Sequence, residues 1–502
     1  MFDLKKTGSS WGRGIASVLL CLIATAEAAA EPSPLPELKP VAVEVDITSL
    51  PASEQAALFP LLRAARQMDA LYVRQVWPGT RALIKERQSV QTSAAQAELD
   101  ALNFFKGPWG PTGSAFIGGV PPGRPIGDFY PSGTTKQELD IWLGTLSKPD
   151  RKRGLDPFTT IERGQNAPFE VVTYGRHYRD ALTDAAGALR EAAALTHEPT
   201  LKNFLNLRAQ ALLDDDYYAS DVAFVGLKGP IDVVLGPYEA DDDAWFGAKT
   251  AYEASIALVN EPATQHVSKI TTHLQELEDH LPLTSNLRGR KLGAAAPIVV
   301  LDAIYHGGRT GAGNAAAGYG LPNDLRVQNA VGARTGTYSN ILKLRYDSTF
   351  RPIADAVLMD ADRSTLRFED IRDEIMFVRL FDSLGPQLVT GTKQPIAETL
   401  RENATVAKQI RSMLLSLWGH RYLIAHGYLD RRESTADADV SRAAMEFISL
   451  MAKGDATGIR SLLQHYAVVT PTIRNLLARL GPAPALQRPI YHTADGLSPT
   501  DR

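Results

Sequence analysis

The sequence predicts an α+β protein in which helices dominate. Two observations carry this. Apolar residues recur at three- and four-residue steps over 50–83, over 178–213 and through most of 353–480. Short β-branched runs interrupt them at 231–235 and 297–301. In chain order, Ser53 is a candidate N-cap for the first helix, whose buried stripe reads Leu58, Leu61, Leu62, Ala65, Met68, Leu71 and Tyr72. Residues 104–130 are turn-rich, with Gly107-Pro108-Trp109 and Pro121-Pro122-Gly123 placing aromatic anchors between breakers. Helical spacing resumes at Tyr178, alanine-rich from Ala181 to Ala194. Ile231 to Leu235 reads as a strand ending at Gly236-Pro237, followed by strand-like pieces at Pro297–Leu301 and near Thr337–Tyr346. A proline-rich tail after Leu480 is expected to be flexible.

At 502 residues the chain is long enough for a large core. Its net charge of −4, without a basic stripe, gives no reason to expect nucleic acid as a partner. The start carries Lys5, Lys6 and Arg13, then an apolar run from Gly14 to Ala24, then small residues at Ala26, Ala28 and Ala30. Basic flank, short apolar stretch and small-residue exit predict a signal peptide over 1–30 and a periplasmic or secreted protein. That run is too short to span a bilayer comfortably, so no stable membrane span is expected after cleavage. Cys21 is the only cysteine, so the mature chain would have neither a disulfide nor a thiol ligand.

Other motifs in the chain lack the spacing that their chemistry needs. His273 and His280 stand seven apart, and His420 and His426 flank a predicted helix end; neither pair has the i, i+4 spacing of a helical zinc pair. The run His306-Gly307-Gly308-Arg309-Thr310-Gly311 lacks the closing Gly-Lys-Ser/Thr of a P-loop and reads as a flexible loop. The acidic runs 214–216 and 241–243 lack the ligand spacing of an EF-hand and read as solvated loops.

Spaced blocks along residues 45–466 carry a resemblance. They include Ala64-Ala65-Arg66-Gln67-Met68-Asp69, Phe129-Tyr130-Pro131, Ile231 through Glu239, Trp245 through Ala254, Leu321-Pro322-Asn323-Asp324 and Leu384-Gly385-Pro386. In that order they resemble the dipeptidyl peptidase III family of zinc peptidases, in its short secreted bacterial branch. The resemblance implies a mainly helical α+β fold with two lobes around a wide cleft. It implies a mixed α/β lobe with cleft-lining segments over 31–345, a helical lobe over 346–480 and a flexible tail over 481–502.

The family holds zinc through His-Glu-x-x-His and a glutamate on a following helix. Counting back from Leu384-Gly385-Pro386, the first histidine falls on Val378, the catalytic glutamate on Arg379 and the second histidine on Asp382. Counting back from Leu417-Trp418, the third ligand falls on Gln409, beside Lys408. Valine has no lone pair and arginine stays protonated, so the resemblance implies a degenerate site with no metal and no cofactor. Arg379 and Asp382, three apart, suit an ion pair on a helix or solvated surface positions.

On the substrate side, the resemblance implies that Glu239 receives a peptide ammonium and that Asn323 aligns its backbone. A family tyrosine is replaced by Asp241, a family asparagine by Gly320, and a family histidine by Lys453. The expected function is a secreted non-peptidase that binds a peptide or small-molecule ligand. A metal-independent lyase, isomerase or non-peptide hydrolase reusing the cleft, with Arg379, Asp382 or Lys408, is the alternative, and an atypical metallopeptidase the third.

Overall fold

A computed structural model describes residues 35, 37–110, 113–121, 123–165, 167–292, 297–313, 315–352, 355, 367–381, 384–400, 404–429 and 486–493. The described residues form two compact units. The larger takes 35–261, 299–344 and 486–493, and the smaller takes 262–298 and 345–429. One division between the units falls between 344 and 345, and 262–298 belongs with the later helices. The predicted signal peptide and Lys453 lie outside the described residues. Among those described, no helix is long and apolar enough to cross a membrane.

The larger unit is built on a five-stranded sheet. Its strands are β4 (Ile231–Glu239), β5 (Ala251–Val259), β6 (Ile298–Gly308), β7 (Gly318–Leu321) and β8 (Arg334–Tyr338), in the order β4-β5-β6-β8-β7. Two smaller pairs flank it in sequence: β1 (Leu38–Val45) parallel to β9 (Leu486–Thr493), and β2 (Thr159–Arg163) antiparallel to β3 (Phe169–Thr173). β4 runs through Gly236-Pro237 instead of ending there, because both residues still pair across to Glu253 and Tyr252 of β5. β9 corrects the expected flexible tail: Arg488, Pro489 and Ile490 pair with Pro40, Val41 and Ala42. The stretch read as strand to Tyr346 turns helical at Ser339, where Asn340 binds the Ala303 amide and carbonyl through its side chain, each at 2.9 Å.

The first predicted helix spans Ala52–Val76, with Pro51 rather than Ser53 at its N-cap. Its stripe of Leu58, Leu61, Ala65, Met68 and Tyr72 is buried against the Arg179–Leu195 helix and β5. Near its end, the Gln75 side chain accepts the Tyr252 amide at 2.8 Å, which fixes the helix to the start of β5. The helical pattern over 178–213 is two helices, Arg179–Leu195 and Pro199–Asp214. They are broken where Glu54 accepts the Thr196 hydroxyl at 2.6 Å and the His197 amide at 2.9 Å.

Two buried arginines tie the sheet together. Arg334 donates to Asp232 at 2.8 Å, and Tyr319 donates to the same carboxylate at 2.7 Å, so β8, β7 and β4 share one charge. Arg208 donates to Asp221 at 2.6 Å and to the Leu235 carbonyl at 3.2 Å, while the Tyr238 hydroxyl donates to Asp221 at 2.7 Å. Paired in this way, the buried charges are compensated rather than orphaned.

The described part of the smaller unit is mainly helical. The Phe368–Phe381 and Ala404–Ala425 helices pack on each other. Phe377 meets the His420 ring edge-on at 5.2 Å, and the Phe381 ring lies over Gly419, where any side chain would collide with it.

Candidate functional site

Glu239, Asn323 and Asp241, the candidate ligand-binding residues, come together at the end of β4. Glu239 closes the strand and accepts the Asp241 amide at 2.8 Å. Asn323, after β7, donates to the Tyr238 carbonyl at 2.7 Å, which places its amide beside Glu239. Gly320 lies on β7, with open space where a side chain would stand. Behind them the Arg208–Asp221 pair holds Tyr238, so the end of β4 rests on buried charge rather than on a mobile turn.

The acidic run 241–243 is not a solvated loop. Asp243 is buried and accepts the Tyr130 hydroxyl at 2.7 Å and the amides of Trp245, Phe246, Ala248 and Lys249 at 2.9–3.2 Å. Burial works to raise its pKa, but those donors outweigh burial and leave the carboxyl below its ordinary value. Lys249, also buried, donates to the Gly154 and Asp156 carbonyls and to Thr159, and burial lowers its pKa to about 8. The second acidic run is likewise anchored at Asp215, which accepts the Gly175 amide at 2.8 Å.

Sequence reasoning missed the charges that surround Glu239. Arg309 stands with Nε 3.7 Å from Glu239 and 3.8 Å from Asp242. Arg124 pairs with Asp242 at 3.1 Å and reaches the Tyr72 hydroxyl at 3.5 Å. Arg124 and Asp242 also line a small recess with Gln75 and Phe129. Glu253, on β5, accepts the Thr310 hydroxyl at 2.6 Å. Burial raises the pKa of Glu239, and raises that of Glu253 to about 7 with a further push from Glu239. Burial and the nearby Asp242 keep the Tyr72 phenol protonated. The signals were present: Arg309 lies in the glycine-rich run and Asp242 in the acidic one. That run is no flexible loop, since His306 to Gly308 belong to β6 and Arg309–Gly311 forms one tight turn. Gly308 enters the turn at φ +62°, and a side chain there would collide with the Tyr252 carbonyl oxygen.

The positions implied for the metal site lie in the smaller unit. Val378 and Arg379 are half-buried on the Phe368–Phe381 helix, Lys408 and Gln409 are on the Ala404–Ala425 helix, and Asp382 lies outside the described residues. Phe377 and Phe381 meet His420 and Gly419, whereas Arg411 donates to the Pro386 carbonyl at 3.2 Å. Gln409 stands two residues before Arg411 on its helix. It is ten residues, about 15 Å of helical rise, from Gly419, which stands beside Phe381. Among the described residues, no group of three or more histidine, cysteine, aspartate or glutamate side chains is arranged to hold a metal.

No family model matches the chain. A curated protein of Arabidopsis thaliana named Nudix hydrolase 3 is 26% identical over 454 residues, covering 79% of this chain; the chain spans only 58% of that relative's length. The structure of dipeptidyl-peptidase III from Corallococcus sp. strain EGB is similar at 33% identity and a TM-score of 0.79, over 90% of this chain and 95% of that one. The structure of DPP III from Caldithrix abyssi is similar at 25% identity and a TM-score of 0.85, over 91% of this chain and 98% of that one. With a third of its residues identical across nearly the whole of a solved member, and with the same fold, the chain belongs to the dipeptidyl-peptidase III family.

Proposed function

We propose that this chain is a secreted family member that does not cleave peptides and instead binds a peptide or small ligand through an ammonium group at Glu239. The convergence of Glu239, Asn323 and Asp241 at one end of β4 carries this reading. A half-buried carboxylate beside an amide can take an ammonium through charge-assisted hydrogen bonds. Loss of the zinc chemistry is supported by the residue types at the aligned positions. Val378 offers no lone pair, Arg379 is no base, and Gln409 is a neutral amide beside a lysine. These residues do not fit a zinc ion, and no step is assigned to one. Secretion rests on the basic, apolar and small-residue order of residues 5–30.

Elemental analysis of purified protein, with dipeptidyl-arylamide assays in added zinc or cobalt, tests this reading. No stoichiometric metal and no chelator-sensitive cleavage is the expected result; both together would overturn it.

A second reading, a metal-independent enzyme, is favoured by one observation. Glu253, with its pKa near 7, stands by Glu239 as a proton donor beside an acceptor. Arg379, Asp382 and Lys408 would then be bystanders or charge stabilisers. A turnover found by metabolite screening that survives Glu253→Gln undiminished would count against it.

A further inference from the structure

Arg309 is held in an unusual state. Its Nε is buried and makes no hydrogen bond, yet it lies almost midway between two carboxylates, 3.7 Å from Glu239 and 3.8 Å from Asp242. Asp242 shows the complementary feature. Its side chain is only 7% exposed, and its Oδ2 is buried with no hydrogen bond within 3.5 Å. The Asp242 oxygen nearest to Nε is the Oδ1 that Arg124 already holds, so Nε and the neighbouring Oδ2 are each left without a partner, which is costly for buried polar atoms. We propose that Arg309 is a latch, shared between Glu239 and Asp242 without ligand and moving wholly onto Asp242 when a ligand's ammonium takes the Glu239 carboxylate.

The surroundings suit both positions. Gly308 and Gly311 bracket the tight turn that carries Arg309, so the guanidinium starts from a fixed backbone. Arg124 already pairs with one oxygen of Asp242, and the other oxygen is left for a second guanidinium. In the resting state Glu239 and Asp242 face Arg124 and Arg309, which balances the charge. An incoming ammonium adds one positive charge, and Glu253, also beside Arg309, is a third carboxylate able to balance it by releasing its proton. The latch makes the site selective for ligands with a free primary ammonium. A neutral, acylated amine has no charge with which to displace a guanidinium from Glu239.

This inference rests on the reading of Glu239 as the ammonium site, and the test separates the two. Tri-alanine and N-acetyl-tri-alanine are titrated calorimetrically at pH 7 into the full chain and into its Arg309→Met, Asp242→Asn and Glu239→Gln variants, each first checked for an intact thermal transition. Removing the competitor in Arg309→Met should tighten tri-alanine binding by about tenfold. Removing the landing point in Asp242→Asn should weaken it by about tenfold, since Arg309 is then left with Glu239 alone. The acetylated peptide should bind none of them. Binding seen only in Arg309→Met also supports the latch. Tri-alanine binding that Arg309→Met leaves unchanged or weaker overturns the latch while keeping the ammonium site. Binding absent from both the native chain and Arg309→Met, or unaffected by Glu239→Gln, overturns the site and the latch with it.

Discussion

Glu278 accepts the Gly385 amide at 2.7 Å through one carboxylate oxygen and the Arg290 amide at 3.2 Å through the other. Gly385 is the centre of Leu384-Gly385-Pro386, the segment that follows the aligned metal-site positions. Its tie is to a buried side chain of the Leu274–Asp279 helix. The retention of this tail beside altered ligand positions therefore has a packing reason of its own. The tripeptide joins two helical segments whether or not a metal is held nearby.

Replacing Glu278 by alanine removes the acceptor of both amides in a buried place. Each orphaned donor costs about 1–3 kcal/mol, so Glu278→Ala should lose on the order of 2–4 kcal/mol of stability. Urea unfolding followed by fluorescence measures it. A loss below the error of the midpoint would mean that other acceptors take over Gly385.

The Arg208–Asp221 pair makes a different demand. Both side chains are nearly inaccessible, with Arg208 at 0% and Asp221 at 5% exposure, so removing one partner strands the other charge. Asp221→Ala should cost about 3–5 kcal/mol. It should also free the Tyr238 hydroxyl and loosen the end of β4. The expected outcome is a lower denaturation midpoint and, at temperatures where the variant stays folded, weaker tri-alanine binding. Equal binding in the folded variant would show that Glu239 does not depend on this support.

Glu253 predicts a slope of stability with pH. Its pKa is raised in the folded chain, from 4.5 to about 7, so the folded state binds its proton more tightly than the unfolded state does. The stability this provides is full below about pH 4.5 and is lost as pH rises towards 7. Glu253→Gln has no proton to lose, so it should gain on the native chain between pH 5 and pH 8, by on the order of 1–3 kcal/mol. Asp215, raised to about 6 by burial, adds a slope of the same sign to both proteins and cancels in the difference. Thermal melts at the two pH values decide it; parallel curves would place Glu253 in a more polar setting.

Much of this fold was legible because its signals are local. The stripe from Leu58 to Tyr72 announces a helix with one buried face, and Ile231 to Leu235 announces a strand, whatever lies around them. What the local pattern hid was pairing across the chain. Gly236-Pro237 looks like a strand end, yet Glu253 and Tyr252 carry β4 through it, and residues 486–493 become a strand because β1 is there to pair with them. The site divides in the same way. Glu239 and Asn323 were found through aligned blocks, whereas Arg309, Asp242 and Arg124 acquire meaning only when three separate segments meet. Asp243 looked solvated for the same reason, since the amides it accepts follow it in the sequence but turn back only in the folded loop.

The helix register gives a last prediction, on rebuilding a metal site. Val378→His with Asp382→His would restore two histidines four apart in the sequence, the spacing of a helical zinc pair, and Arg379→Glu would remove the cation between them. This triple variant should bind zinc or cobalt weakly, because two protein ligands leave most of the coordination to water. Adding Gln409→Glu supplies the third ligand only if residue 409 reaches the level of the pair. Gln409 stands ten residues, about 15 Å of helical rise, from the Gly419 that lies against Phe381. The quadruple variant should therefore gain less than tenfold in zinc affinity over the triple variant, as read by calorimetry, and should show no dipeptidyl-arylamide cleavage. A gain of a hundredfold or more would mean that the helices slide into the register of a working zinc site, and that four substitutions alone separate this chain from metal binding.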